Sequence, residues 1–371
     1  MNYTNREIFS LVKSFVVLIS FILFINFGGD RIFGQNSLTA ADVRTIIEQG
    51  VSTAVELNRK VTIAVTDREG HILGMFLMSG ANGNSVFAGG GSGGFEGFVA
   101  PSIFAVHSKA GTAALFSTGG NAFTTRSASF IIQEHFPPGI NNRPGGPLYG
   151  VQFSSLDCSD IAIVGLPLGL SGDPGGIPIY KNGVAVGGVG VEGDGLYTID
   201  RDPTDNDQSF EEIIAVAAVQ GFVAPALIRA DNILVEGVRL PFSNVDGLPP
   251  AIQIPFASLP GIVIPGFPIR AALPSAFVPT KLNGVMGETD PRFFPASSGS
   301  GLTAVEVESI LGQAAATANI TRAGIRQPLG SNARVSIAVA DVDGRILGMF
   351  RQSDAPVFGF DVAAQKARTV A

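Results

Sequence analysis

The chain has no tryptophan, one cysteine and three histidines in 371 residues, and charged residues make up only 15% of it. Each scarcity closes a possibility. A lone Cys158 cannot staple a fold, and no CxxC or Cys/His zinc spacing exists, so it is expected to be a buried or incidental thiol. Three histidines leave few chances for a Ser/His/Asp set, and there is no GxSxG elbow. Beyond the N-terminus there is no basic run, and the formal net charge is −7. Phosphate backbones are held mainly by lysine and arginine, so nucleic acid is not an expected partner.

What is present is apolar and rich in glycine, enough to bury a sizeable core in about two domains. Near the N-terminus, Arg6 and Lys13 precede the apolar run Phe15 to Phe27. That run is shorter than the ~20 residues needed to span a bilayer, and it fits a signal peptide behind a positive segment. Residues 1–34 are therefore expected to be a signal peptide cut near Gly34, or else an uncleaved anchor. The mature protein would be periplasmic or secreted, or anchored facing outward, with the membrane a partner only through that segment.

The organising feature is an internal repeat. VTIAVTDREGHILGMF (Val61 to Phe76) recurs as VSIAVADVDGRILGMF (Val335 to Phe350), with 11 of 16 positions identical. Each copy follows an apolar stripe at helical spacing: Val43, Ile46, Ile47, Gly50, Val51, Ala54 and Val55 in one, Val307, Ile310, Leu311, Ala314, Ala315 and Ala318 in the other. Thr39 with Asp42, and Thr303 with Glu306, have the spacing of a capping box. The repeated segment itself reads as strand, Asp-x-x-Gly turn, strand. Residues 103–118 (IFAVHSKAGTAALFST) read as a helix with a small-residue surface, echoed by DVAAQKARTVA at the end of the chain.

The first copy continues through GGIPIYKNGVAVGGVGVEGDG, a hairpin about Asn182-Gly183. A helix follows, with Ser209 and Glu212 as its expected cap. The second copy lacks these elements, which is expected to reflect a fragment rather than a half-domain completed on another surface. The resulting division is 35–225 for the first domain, 226–300 for a proline-rich connecting strap packed extended on domain surfaces, and 301–371 for a truncated second domain. The fold class is α/β in the α+β sense: an antiparallel sheet with flanking helices.

Several motifs have a bland reading that outweighs the functional one. Gly188-Val-Gly190-Val-Glu-Gly193 satisfies G-x-G-x-x-G, but acidic residues follow it, so close helix packing on the strand is preferred to a dinucleotide site. The acidic loop Asp200 to Asp207 does not have EF-hand spacing and is expected to be solvated. Glu211 and Glu212, adjacent on a helix, should point apart. His71 corresponds to Arg345 in the second copy, and both suit an exposed edge; His135 sits in a loop. His107 lies one turn before Ala110 and Gly111, where a flat ligand or another backbone can approach closely. An imidazole there can ligate an iron, the alternative being a surface or oligomer-contact histidine. Met75 and Met78 are possible soft contacts, Met75 more often core.

Together, VTIAVTDREGHILGMF, HSKAGTAALF, GGIPIYKNGVAVGGVGVEG and EEIIAVAAVQ, in this order, resemble the GlcG/HbpS family of haem-binding proteins. The resemblance covers about residues 38 to 222 and, truncated, 302 to 371. It implies a profilin-like fold with about five antiparallel strands between helices, homo-oligomer formation and, in several members, haem bound outside the cytoplasm. Some relatives are linked to glycolate or propanediol use, one as a domain attached to a corrinoid adenosyltransferase, and members are not uniformly enzymes. The expected site is then His107 on iron, Lys109 against a propionate and Met78 nearby, with no catalytic residue. The expected role is haem storage, scavenging or sensing. The alternative is an enzyme or binding module for a small organic acid or corrinoid-related ligand in the same pocket. The second copy has Ala364 in place of His107, so ligand binding is expected to be confined to the first.

Overall fold

The computed structural model describes residues 36–88, 95–202, 205–249 and 253–371, and the N-terminal apolar run lies outside them. From Leu38 onward the chain forms one compact unit. Its first copy opens with helix α1 (Ala40–Glu56), whose Thr39/Asp42 capping box forms as the spacing predicts. Strands β1 (Thr62–Asp67) and β2 (Ile72–Met78) follow. Between them Gly70 takes φ 93°, and Asp67 Oδ1 accepts from the backbone N–H groups of Glu69 and His71, both at 3.0 Å. The side chain mimics a turn and glycine supplies the left-handed step.

After the short strands β3 (Asn84–Phe87) and β4 (Val99–Pro101) come helices α2 (Ser102–Phe116) and α3 (Thr125–Ile132). The predicted hairpin is β5 (Gly176–Lys181) and β6 (Val184–Glu192), turning through Asn182 and Gly183 with φ 52° and 78°. Strand β7 (Leu196–Tyr197) and helix α4 (Phe210–Ala218) complete the copy. Ser209 makes no side-chain cap on α4, contrary to expectation, and the Glu212 carboxylate instead accepts from Arg126 Nε at 2.9 Å.

After a small hairpin, β8 (Leu234–Val235) and β9 (Val238–Arg239), the proline-rich segment contributes β10 (Gly261–Val263). The first sheet has five strands in the order β10-β2-β1-β6-β5, all pairs antiparallel. Its fifth strand thus comes from the strap. Helices α1 and α4 pack on one face over Ile46, Ile63, Val65 and Val191, all fully buried. Each such aliphatic side chain contributes roughly 1.5–3 kcal/mol by leaving water. Helix α2 covers the other face through Val106 and Ala110, against Ala64 and Met75.

The second sheet has the order β11-β12-β14-β13, built from β11 (Val278–Leu282), β12 (Val285–Thr289), β13 (Ser336–Ala340) and β14 (Ile346–Gln352). Helices α5 (Ala304–Ala318) and α6 (Phe358–Val370) match α1 and α2. The pairing irregularity at Val65/Thr66 recurs at Val339/Ala340, so the repeat is structural as well as sequential. One cluster, including Phe116, Phe123, Phe277, Met349 and Phe360, joins the two copies.

Candidate functional site

Glycines on β5 and β6 determine how α2 lies. A Cβ on Gly188 would sit 2.1 Å from the Ala110 carbonyl oxygen, and one on Gly190 would sit 2.3 Å from that of Val106. The G-x-G spacing therefore serves close packing of helix on strand, and β6 leads into β7 rather than into a helix.

This approach drives the Lys109 side chain into the protein. It is fully buried, with Nζ 2.7 Å from Asp173, 2.8 Å from Glu192 and 2.6 Å from Glu211, and it donates to the Val191 carbonyl at 3.0 Å. Glu211 also accepts from the N–H groups of Gly193 and Asp194, and Glu192 accepts from Ser85 Oγ at 2.6 Å. One ammonium thus faces three carboxylates. Burial works against the lysine's charge, but the carboxylates outweigh it and hold its pKa well above that of a free lysine. Burial, with repulsion from the neighbouring acids, pushes Asp173 well up and Glu211 up to about 7. The three carboxylates approach closely enough to hold a metal ion, yet the ammonium lies within ion-pairing distance of each. The cluster ties α2, β6 and α4 together out of reach of solvent.

Arg126 on α3 forms a second ionic knot, with Asp200 and Asp207 at 2.8 Å and Glu212 at 2.9 Å. The acidic loop, expected to be solvated, is thus partly folded onto a buried guanidinium. Glu211 and Glu212 do point apart, each to a different cation.

His107 is nearly buried, with Nε2 3.0 Å from the Gly70 carbonyl. A carbonyl only accepts, so Nε2 carries the proton and Nδ1 the lone pair. Burial lowers its pKa, with the Gly70 bond opposing, so the ring is neutral at neutral pH. The small-residue surface beyond it is covered by the chain itself: a Cβ on Gly111 would meet Leu166 Cδ2 at 2.3 Å. The N–H groups of Leu168 and Ser171 donate to Ser108 Oγ and Thr112 Oγ1, at 3.0 and 2.7 Å. Met78 packs in the core under α1, whereas Met75 faces α2. Strand alternation separates them, so Met78 and His107 lie on opposite sides of the sheet. The three expected ligand residues do not converge on one pocket.

His71 is half-buried at the start of β2, an inner strand, rather than on an exposed edge. His71 Nδ1 pairs with Asp67 at 3.1 Å as Arg345 pairs with Asp341 at 3.3 Å, and Asp67 first raises the imidazole pKa. His135 Nδ1 lies 2.7 Å from the Arg143 carbonyl in an exposed loop. Cys158 is exposed rather than buried.

The sequence reading did not anticipate an aromatic cleft of about 330 Å³ beside the ionic cluster, lined by Phe87, Phe95, Phe153, Leu170 and Tyr197 among others. Phe87 has Tyr197, Phe98 and Phe95 at ring-centroid distances of 5.0, 5.7 and 6.1 Å. Phe95 and Phe98 are 65% and 52% exposed, and Phe153 is 57% exposed. Tyr197 forms the link inward: its buried hydroxyl is near Ser171, and burial pushes its pKa up. The missed signal was F-x-x-F at Phe95 and Phe98 after the glycine-rich stretch, with another phenylalanine, Phe87, before it.

No protein-family model and no curated protein matches the sequence. Among solved structures, the chain is similar to a PduOC–haem complex, with 19% identity, 49% of this chain and 92% of that one covered, and a TM-score of 0.32. It is also similar to the Klebsiella pneumoniae protein ORFY, with 20% identity, 50% and 89% coverage, and a TM-score of 0.31. A double mutant of Streptomyces reticuli HbpS gives 21% identity, 50% and 86% coverage, and a TM-score of 0.29.

Proposed function

We propose that this protein binds a planar, largely apolar small molecule, with haem the first candidate, in the aromatic cleft above Tyr197. The observation that carries this reading is the ring cluster Phe87, Phe95, Phe98 and Tyr197 beside an open cleft, two of its rings more than half exposed. Exposed aromatics grouped beside a cavity lower their free energy by stacking on a flat guest. Haem is named because the four motif blocks resemble the GlcG/HbpS family of haem-binding proteins. The cleft lining contains no histidine, so the guest is held by its faces and edges, and Lys109, sealed among carboxylates, takes no part.

The test is to titrate the protein with haemin and with metal-free protoporphyrin IX. The expected result is saturable binding of both, weakened at least tenfold by Phe95→Ala together with Phe153→Ala and unchanged by His107→Ala. Binding of haemin alone, lost in His107→Ala, would replace this reading with axial ligation after displacement of Leu166. Binding of neither would end both. Export is part of the proposal, on the strength of the apolar run Phe15 to Phe27; cell fractionation finding the protein in the cytoplasm would remove it.

A further inference from the structure

A second cleft, of about 450 Å³, lies between the end of α4 and the proline-rich segment that follows it, and it shares no residue with the aromatic cleft. Ile177 on β5, with Val216, Val219 and Val245, lines it with aliphatic carbon, and Ile177 and Val219 are buried. Its charged lining consists of Arg229 and Asp231. A largely apolar cleft of this size with a few placed polar groups has the general form of a small-molecule site.

The walls are braced. Tyr180 N–H donates to the Phe222 carbonyl at 2.8 Å, which fixes the turn after α4 on β5. Ala122 holds the backbone on both sides of Arg229: its N–H donates to the Ile228 carbonyl at 2.7 Å, and its carbonyl accepts from Ala230 N–H at 3.0 Å. Thr124 Oγ1 and Ser127 Oγ donate to the carbonyls of Phe242 and Pro241, at 2.7 and 2.6 Å. A cleft held in this way loses little freedom when a guest enters. Arg229 is positioned but not neutralised. Its Nε donates to the Ala224 carbonyl at 3.3 Å and its guanidinium lies over Phe242, 5.2 Å from the ring centroid, so among the described residues it meets a carbonyl and a ring but no carboxylate. The two Nη nitrogens remain as a planar fork, the shape that matches a carboxylate. Asp231, two residues on, is exposed, and among the described residues its carboxylate accepts only from Asn232 Nδ2, at 3.5 Å.

We propose that this cleft is a second binding site, for an aliphatic amino acid. The α-carboxylate sits on the Arg229 Nη fork, the α-ammonium faces Asp231, and the aliphatic side chain lies against Ile177, Val216 and Val219. A zwitterion answers both charges of the lining at once. An acid without the ammonium, or an amine without the carboxylate, leaves one of them unanswered, and a site built to hold a polar group discriminates strongly against the analogue that lacks it.

The test is calorimetric titration of the full chain, in mild detergent, with leucine, with isocaproate, which lacks the ammonium, and with isoamylamine, which lacks the carboxylate. Leucine is expected to bind saturably, and each analogue about tenfold more weakly or worse. Arg229→Gln is expected to weaken leucine by a similar factor. Because loss of the Phe242 stack could loosen the wall, the exposed Asp231→Asn serves as the second variant: it should weaken leucine about tenfold and leave isocaproate as in the wild type. No saturable binding of leucine in the millimolar range overturns the proposal. Isocaproate that binds the wild type as tightly as leucine also overturns it, by making Asp231 a bystander. So does leucine binding that survives both substitutions, since the amino acid must then sit elsewhere.

Discussion

Replacing Lys109 by methionine keeps the volume of the side chain and removes the only cation from a buried site with three carboxylates at 2.6–2.8 Å. Breaking a buried ion pair by deleting one partner costs about 3–5 kcal/mol, because the remaining charge loses both its partner and its water. Here the abandoned charges can escape by taking up protons, so the loss depends on pH. Asp173 and Glu211 already have folded pKa values above their unfolded ones, Glu211 at about 7. A raised carboxyl contributes stability that is fully present below the unfolded pKa and is lost as pH rises through the folded value. In the Lys109→Met protein these values rise further, so the deficit should be about 3–5 kcal/mol at pH 7–8 and should shrink steadily toward pH 5. Urea unfolding followed by circular dichroism between pH 5 and 8 measures it, and adding Glu211→Gln should restore part of the loss at pH 7. A deficit below about 1 kcal/mol at pH 7, or one that grows as the pH is lowered, would refute the account of a lysine neutralising surplus buried charge.

Three further outcomes follow from the same packing. Gly190→Ala should cost roughly 1–3 kcal/mol, since its Cβ would meet the Val106 carbonyl oxygen at 2.3 Å and helix backbone cannot yield as a side chain can; a lowered urea midpoint checks this. Leu166→Ala should destabilise by roughly 2–5 kcal/mol and open space over Gly111, and a His107-dependent haemin spectrum appearing only in this variant would show that the 166–171 segment excludes the ligand. His107 has a folded pKa below its unfolded 6.5, so it contributes stability above that pH that is lost as pH falls through the lower folded value. His107→Phe should flatten the stability profile in that acidic window, and an unchanged slope there counts against a buried neutral imidazole.

The sequence was most legible where local chemistry and burial agree. Asp67 to Gly70 and Asn182-Gly183 specify their turns through backbone geometry that few other residues tolerate, and Thr39/Asp42 with Thr303/Glu306 satisfy their own amides. The glycines of β6 were correctly read as a packing surface. Ser209 shows the limit: its capping spacing was right, but Glu212 is taken by Arg126, whose approach depends on tertiary contacts across 86 residues. The same distance hid the partners of Lys109. A charged residue on an otherwise apolar strand, Glu192 after GGVGV, was a visible sign of a buried ion pair, but not of which cation answered it. The small residues of α2 were legible as a surface of close approach. Whether that approach was made by a ligand or by the chain itself depended on residues 135–171, whose path has no periodicity to read.

That segment separates this protein's plan from the site its motifs suggest. By laying Leu166, Leu168 and Ser171 along α2, it seals the small-residue face and moves the open apolar surface outward to Phe95, Phe98 and Phe153. A histidine without a cavity and a cavity without a histidine then stand on either side of residues 166–171. If that segment is fixed, recognition rests on aromatic faces and is indifferent to the metal in the ring. If it lifts, the Nδ1 lone pair of His107 becomes available to iron. Since only the second route distinguishes haemin from protoporphyrin, the ratio of their affinities reports directly on which side of residues 166–171 the ligand binds.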